Sequence, residues 1–141
     1  YDGGPFFSPD GKRIIWRRFD EAGLIADIWT MNLDGTDQRQ ITKFGAMCWA
    51  PYIHPSDQYV ILPTNKLGFE NFEMYHGDID GKKQPLRVTY SDGFDGLPVP
   101  SPDGTQMAWT SSRGGGREGQ IFLAQWNHER ALAALRPAPS R

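Results

Sequence analysis

The chain has 141 residues, a formal net charge of −2 and 13% aromatic residues. This is long enough for one domain with a sizeable core and too aromatic for a disordered chain; the near-neutral charge gives no drive toward nucleic acid, and the apolar runs are too short for a helical membrane span. Cys48 is the only cysteine, which excludes an internal disulfide and a cysteine-built metal centre.

The chain opens on Tyr1-Asp2-Gly3-Gly4, with no initiator Met and no leader, and reads as a piece of something longer. Pro5-Phe6-Phe7 is a short aromatic strand candidate running into Ser8-Pro9-Asp10-Gly11. Pro9 pre-sets φ for the first central turn position, Asp10 suits the second, and Gly11 takes a left-handed conformation without steric cost. Arg13-Ile14-Ile15-Trp16 is the returning strand. Ile28 to Leu33 alternates, placing Trp29, Met31 and Leu33 on one face, and Asp34-Gly35 turns it into a weak fourth candidate, Arg39-Gln40-Ile41-Thr42.

This unit recurs. A shift of 46 residues brings Pro5 onto Pro51, Pro9 onto Pro55, Trp16 onto Leu62, Asp27 onto Glu73 and Asp34-Gly35 onto Asp80-Gly81. A further 47 brings Pro51 onto Pro98, Pro55 onto Pro102, Leu62 onto Trp109 and Met74-Tyr75 onto Ile121-Phe122. The turn returns worn as His54-Pro55-Ser56-Asp57 and intact as Ser101-Pro102-Asp103-Gly104. Leu86-Arg87-Val88-Thr89 repeats the fourth candidate. The third copy lacks it: after Trp126-Asn127 the residues His128 to Leu135 have helix composition, with Asn127 as cap, and Arg136 to Arg141 reads as a Pro-rich linker.

Four antiparallel strands returning about every 46 residues are the signature of a propeller blade. The expectation is an all-β chain of three four-stranded antiparallel blades in a partial ring, with the last outer strand replaced by a short C-terminal helix. The blades occupy about 1–46, 47–93 and 94–128, and residues 129–141 form helix and tail.

The residues Gly4 to Ile14, followed by Asp27-Ile28-Trp29-Thr30-Met31-Asn32-Leu33-Asp34-Gly35, resemble the repeat of TolB-type propellers. Gln120 to His128 is similar to the last blade of large TolB-like proteins. The resemblance implies an exported bacterial protein, periplasmic or extracellular, that acts as a non-catalytic platform for a protein or peptide partner. The alternative that it implies is an accessory propeller that restricts or orients substrates of a peptidase such as a prolyl-oligopeptidase-type or other exported hydrolase. The remaining blades of a longer chain are the first partners expected.

No catalytic constellation is present: His54, His76 and His128 are scattered, with no nucleophile elbow and no metal-binding helix motif. Gly114-Gly115-Gly116 lacks a following helix and a P-loop Lys-Ser/Thr, and reads as a hairpin loop. The repeat-matched aromatics Trp16 and Trp109, and Trp29, Tyr75 and Phe122, read as core between blades. The equivalent segments Asp2-Gly3-Gly4-Pro5, Cys48-Trp49-Ala50-Pro51 and Asp95-Gly96-Leu97-Pro98 precede the innermost strands and are expected to ring one mouth of the channel. Asp2, Trp49 and Asp95 are therefore the candidate binding residues. Two carboxylates near an axis suit Ca²⁺ or a basic group, while Asp-Gly is also an ordinary turn pair. The turn residues Ser8, Pro9, Asp10, Gly11, Pro55, Asp57, Ser101, Pro102, Asp103 and Gly104 carry a structural role.

Overall fold

The computed structural model describes residues 1–114 and 118–136, so most of the triple-glycine loop and the tail after Arg136 lie outside the described residues. Three antiparallel sheets follow one another along the chain. The first is β1 (Asp2–Phe7), β2 (Arg13–Phe19), β3 (Ala26–Asn32) and β4 (Arg39–Gln40). The second is β5 (Tyr52–Ile53), β6 (Tyr59–Thr64), β7 (Glu73–Asp78) and β8 (Leu86–Arg87). The third is β9 (Asp95–Pro100), β10 (Gln106–Ser111) and β11 (Gln120–Gln125), and helix α1 (His128–Leu135) follows. Among the described residues the third sheet has three strands, so two of the three blades are four-stranded and the last is three-stranded there. Asn127 caps α1 by accepting the Arg130 backbone N–H at 2.9 Å.

The inner strands differ from expectation in their starts. β1 and β9 begin at Asp2 and Asp95, three residues ahead of the prolines, so these aspartates are strand residues rather than loop residues. Both strands carry a register irregularity where the chain bends toward its neighbour.

The intact turns are built identically. Ser8 Oγ donates to Asp10 and accepts the Arg13 N–H, and the Gly11 N–H reaches the Ser8 carbonyl at 2.8 Å. Ser101, Asp103, Gln106 and Gly104 repeat every one of these bonds. Gly11 and Gly104 have φ of +69° and +72°, and Asp57 holds the same conformation at +58° in the worn copy. There the His54 ring replaces the serine, its Nδ1 accepting the Ser56 N–H.

Each outer strand is fastened by a carboxylate. Thr42 Oγ1 accepts the Ile28 N–H and donates to Asp27; Thr89 Oγ1 accepts the Met74 N–H and donates to Glu73. Glu73 is fully buried and gains Arg87 as a second partner at 2.6 Å. The third copy has Gln120 at this position and no outer strand in its sheet.

The core lies between the sheets. β6 is buried along its whole length because both faces are covered. Val60 and Leu62 join Ile15, Ile28 and Ile41 of the first sheet, together with Tyr75 of β7. Tyr59 and Ile61 join Met107 and Trp109 of the third sheet with Ala131 and Leu135 of α1. Each such side chain contributes about 1.5–3 kcal/mol by leaving water. The outer faces are open: Ile121 and Leu123 of β11 are 76% and 65% exposed. On the far side of the first sheet, Ile14, Trp16 and Met31 line a hollow of about 330 Å³.

Candidate functional site

The inner strands start, the second strands end and the third strands start at one end of the three sheets. Asp2, Trp49 and Asp95 all belong to this end. Asp2 Oδ1 accepts the Trp16 indole N–H at 2.8 Å and Arg18 Nε at 2.7 Å. Asp95 accepts the Trp109 indole N–H at 3.1 Å and Arg113 at 2.7 Å. In each clamp the arginine lies over its tryptophan and over the next aromatic, Trp29 for Arg18 and Phe122 for Arg113. The Arg18 hydrogen bond is the main cause holding the Asp2 carboxyl below the usual range, with Trp16 adding to it.

Burial separates the two clamps. The Asp2 side chain is 54% exposed, whereas that of Asp95 is completely buried. Asp95 therefore holds its strand pair together from inside, and Asp2 is the carboxylate that a partner can reach. Among the described residues, no three His, Cys, Asp or Glu side chains converge as ligands for a metal ion.

The middle blade has Cys48 and Leu62 at the clamp positions, both inside the core. Burial raises the Cys48 thiol to about 11, so it stays protonated and unreactive near neutrality. Its neighbour Trp49 sits in an aromatic belt that runs across all three blades. Tyr1 packs on Phe19 at 5.7 Å, and the Arg17 guanidinium bridges Phe19 and Trp49. Trp49 then packs on Phe72 at 5.9 Å, and Phe72 on Phe94 at 5.6 Å. Phe69, 81% exposed, stands on the adjacent β6–β7 loop. Several buried polar atoms at this end have no hydrogen-bond partner: Arg17 Nε, Trp49 Nε1, Thr64 Oγ1 and Asn71 Oδ1. Native structures leave few such atoms. Sequence reading picked out Trp49 but missed the belt: Tyr1 and Phe94 share a repeat position, whereas Phe19 and Phe72 have no aromatic counterpart in the other copies.

A family model described as the TolB beta propeller domain matches residues 4–134. The chain belongs to the TolB-type β-propeller family. Its fold is similar to that of TolB from Acinetobacter baumannii, at 22% identity and a TM-score of 0.73, with 87% of this chain and 29% of that one covered. It is also similar to a putative TolB from Agrobacterium tumefaciens, at 20% identity and a TM-score of 0.74, with 88% and 46% covered. A puromycin-hydrolyzing peptidase from Mycobacterium tuberculosis matches at 14% identity and a TM-score of 0.67, with 93% and 21% covered. The chain thus spans less than half the length of each of these proteins.

The TolB-type packing also unites residues that looked scattered. All three histidines meet beside α1. His54 stacks on Tyr59 and on His128, at 4.5 and 4.8 Å between ring centroids, those two rings lie 5.8 Å apart, and His76 meets Tyr59 edge-on. Trp126 donates its indole N–H to the Tyr59 hydroxyl at 2.7 Å. Burial lowers the affinity of His54 and His76 for protons and pushes the Tyr59 hydroxyl up to about 12. Nothing in the spacing of 54, 76 and 128 signals this, because blade-to-blade packing creates it.

Proposed function

We propose that this TolB-type propeller segment is a non-catalytic binding platform whose partner-facing surface is the end carrying the aromatic belt. The observation that supports this reading is the coincidence, at one end, of a belt of partly buried aromatics, the exposed Phe69 and unpartnered buried polar atoms. Aromatics and arginine are the residues that dominate protein–protein hot spots. Trp49 and Phe69 are the apolar anchors, Arg17 is a cation already partly stripped of water, and Asp2 is the carboxylate offered to a basic group of the partner. Asp95 supports this surface from within. A Ca²⁺ ion is not needed by this reading.

The partner is a protein or peptide of the periplasm or the extracellular space, and the open faces of the first and third sheets are covered by further blades of a longer chain. No helix among the described residues is long and apolar enough to cross a membrane.

The test is site-specific photocrosslinking in the full-length protein, in its own cells, from positions 69 and 24 on the loops of this end. Specific protein adducts that disappear with Trp49→Ala are expected. Their absence at both positions would overturn the reading. A hydrolase domain in the same reading frame beyond residue 141 would redirect it toward substrate gating for a peptidase.

A further inference from the structure

We propose that His54 and His76, packed around Tyr59 beside His128, form a proton-sensitive latch, in which acidification releases helix α1 and opens the junction between the second and third blades. The directions of the hydrogen bonds carry the argument. The Ser56 backbone N–H points at His54 Nδ1 at 3.2 Å, so Nδ1 is an acceptor and Nε2 carries the hydrogen that is donated to the Gly104 carbonyl at 3.2 Å. His76 Nε2 donates to the Ala131 carbonyl of α1 at 3.3 Å, and its Nδ1 is buried with no partner. Trp126 donates to the Tyr59 hydroxyl, which also lies 3.1 Å from His128 Nδ1. His54 and His76 are thus held in their neutral forms.

A second proton disrupts each of these arrangements. On His54 it turns the Nδ1 acceptor into a donor, which breaks the Ser56 N–H bond and leaves only the Ser56 hydroxyl, at 2.9 Å, to receive it. On His76 it buries an N–H that has no acceptor. The His54 and His128 rings are nearly parallel at 9°, so charging both sets two cations face to face at 4.8 Å.

Among the described residues, the surroundings offer no compensating anion. From β8 and the segment after it, Arg87 and Tyr90 line the cleft beside His76, and Arg130 lines it from α1. Arg87 is committed to Glu73. Asp57, in the His54 turn, is directed at the Asp10 N–H, and Asp103, next to Gly104, is tied to Ser101 and Thr105. Glu129 lies on the exposed side of α1. The released state therefore takes up protons more readily than the docked one. Docking is at full strength above about pH 6.5 and weakens as the pH falls below it. The helix is eight residues long and too short to persist without its dock.

Hydrogen exchange of the full-length protein tests the latch, read on the peptide covering residues 127–135 and corrected for the intrinsic pH dependence of exchange. Protection is expected to fall about tenfold or more between about pH 7.5 and about pH 5. His54→Phe combined with His76→Leu should keep the protection nearly constant over that range. Unchanged protection in the wild type, or an equal loss in the double variant, would overturn the proposal. If the double variant does not fold, histidine Cε1 resonances of the wild type decide. Titration of His54 and His76 at the midpoint of the lost protection supports the latch, and titration well away from it overturns it.

Discussion

The first and third blades carry the same clamp in two environments. Aspartate, tryptophan, arginine and a second aromatic are arranged alike in both. In the third blade the clamp is pressed against the middle blade; in the first it faces the open side of the chain. The middle blade, covered on both sides, fills the same place with Cys48 and Leu62. The difference teaches that the clamp does not define the fold, since an apolar pair serves the same position. What the clamp contributes depends on how far water is kept from it.

The largest expected effect tests that statement directly. Asp95→Ala strands the Trp109 indole N–H and leaves Arg113 without its buried partner, and should destabilise the full-length protein by about 3–5 kcal/mol. Asp2→Ala removes the same two bonds in a solvated setting and should cost less than about 1 kcal/mol. Denaturant midpoints measured side by side check both, and equal losses would break the comparison.

Leu62→Ala comes next. It opens a cavity in the fully buried middle blade at the place where the other blades hold tryptophan, and should cost about 2–5 kcal/mol in the same melts.

The turns give the smallest effect. Gly11→Ala places a side chain in open space at positive φ and should cost about 1–2 kcal/mol. Gly104→Ala has the same backbone strain, and its Cβ would also stand 2.8 Å from the His54 ring, so it should cost visibly more. Equal melting temperatures for the two variants would show that the ring moves aside freely.

The turns and the strand order were legible in sequence because each Ser-Pro-Asp-Gly carries its own bonding instructions within six residues. The helix was legible from its cap and composition. The clamps were not. Asp-Gly reads as a turn pair, and the arginine that completes the clamp stands 16 residues after Asp2 but 18 after Asp95, so the repeat register hides the equivalence. Asp2 is exposed and Asp95 buried because only the third blade's clamp is packed against the middle blade. The histidine cluster was beyond sequence reading altogether. His54 finds its partners at Gly104 and His128, across a junction that exists only after two blades have packed.

The missing carboxylate at Gln120 bears on how a ring built from these blades would come apart. Strands β4 and β8 are riveted by threonine and carboxylate, so peeling either one breaks buried polar bonds as well as the ladder. A strand seated on the edge of β11 meets the Gln120 amide in place of a carboxylate, which is a weaker hydrogen-bond acceptor. Of the three outer edges, this one is therefore expected to give way first under heat or mechanical load.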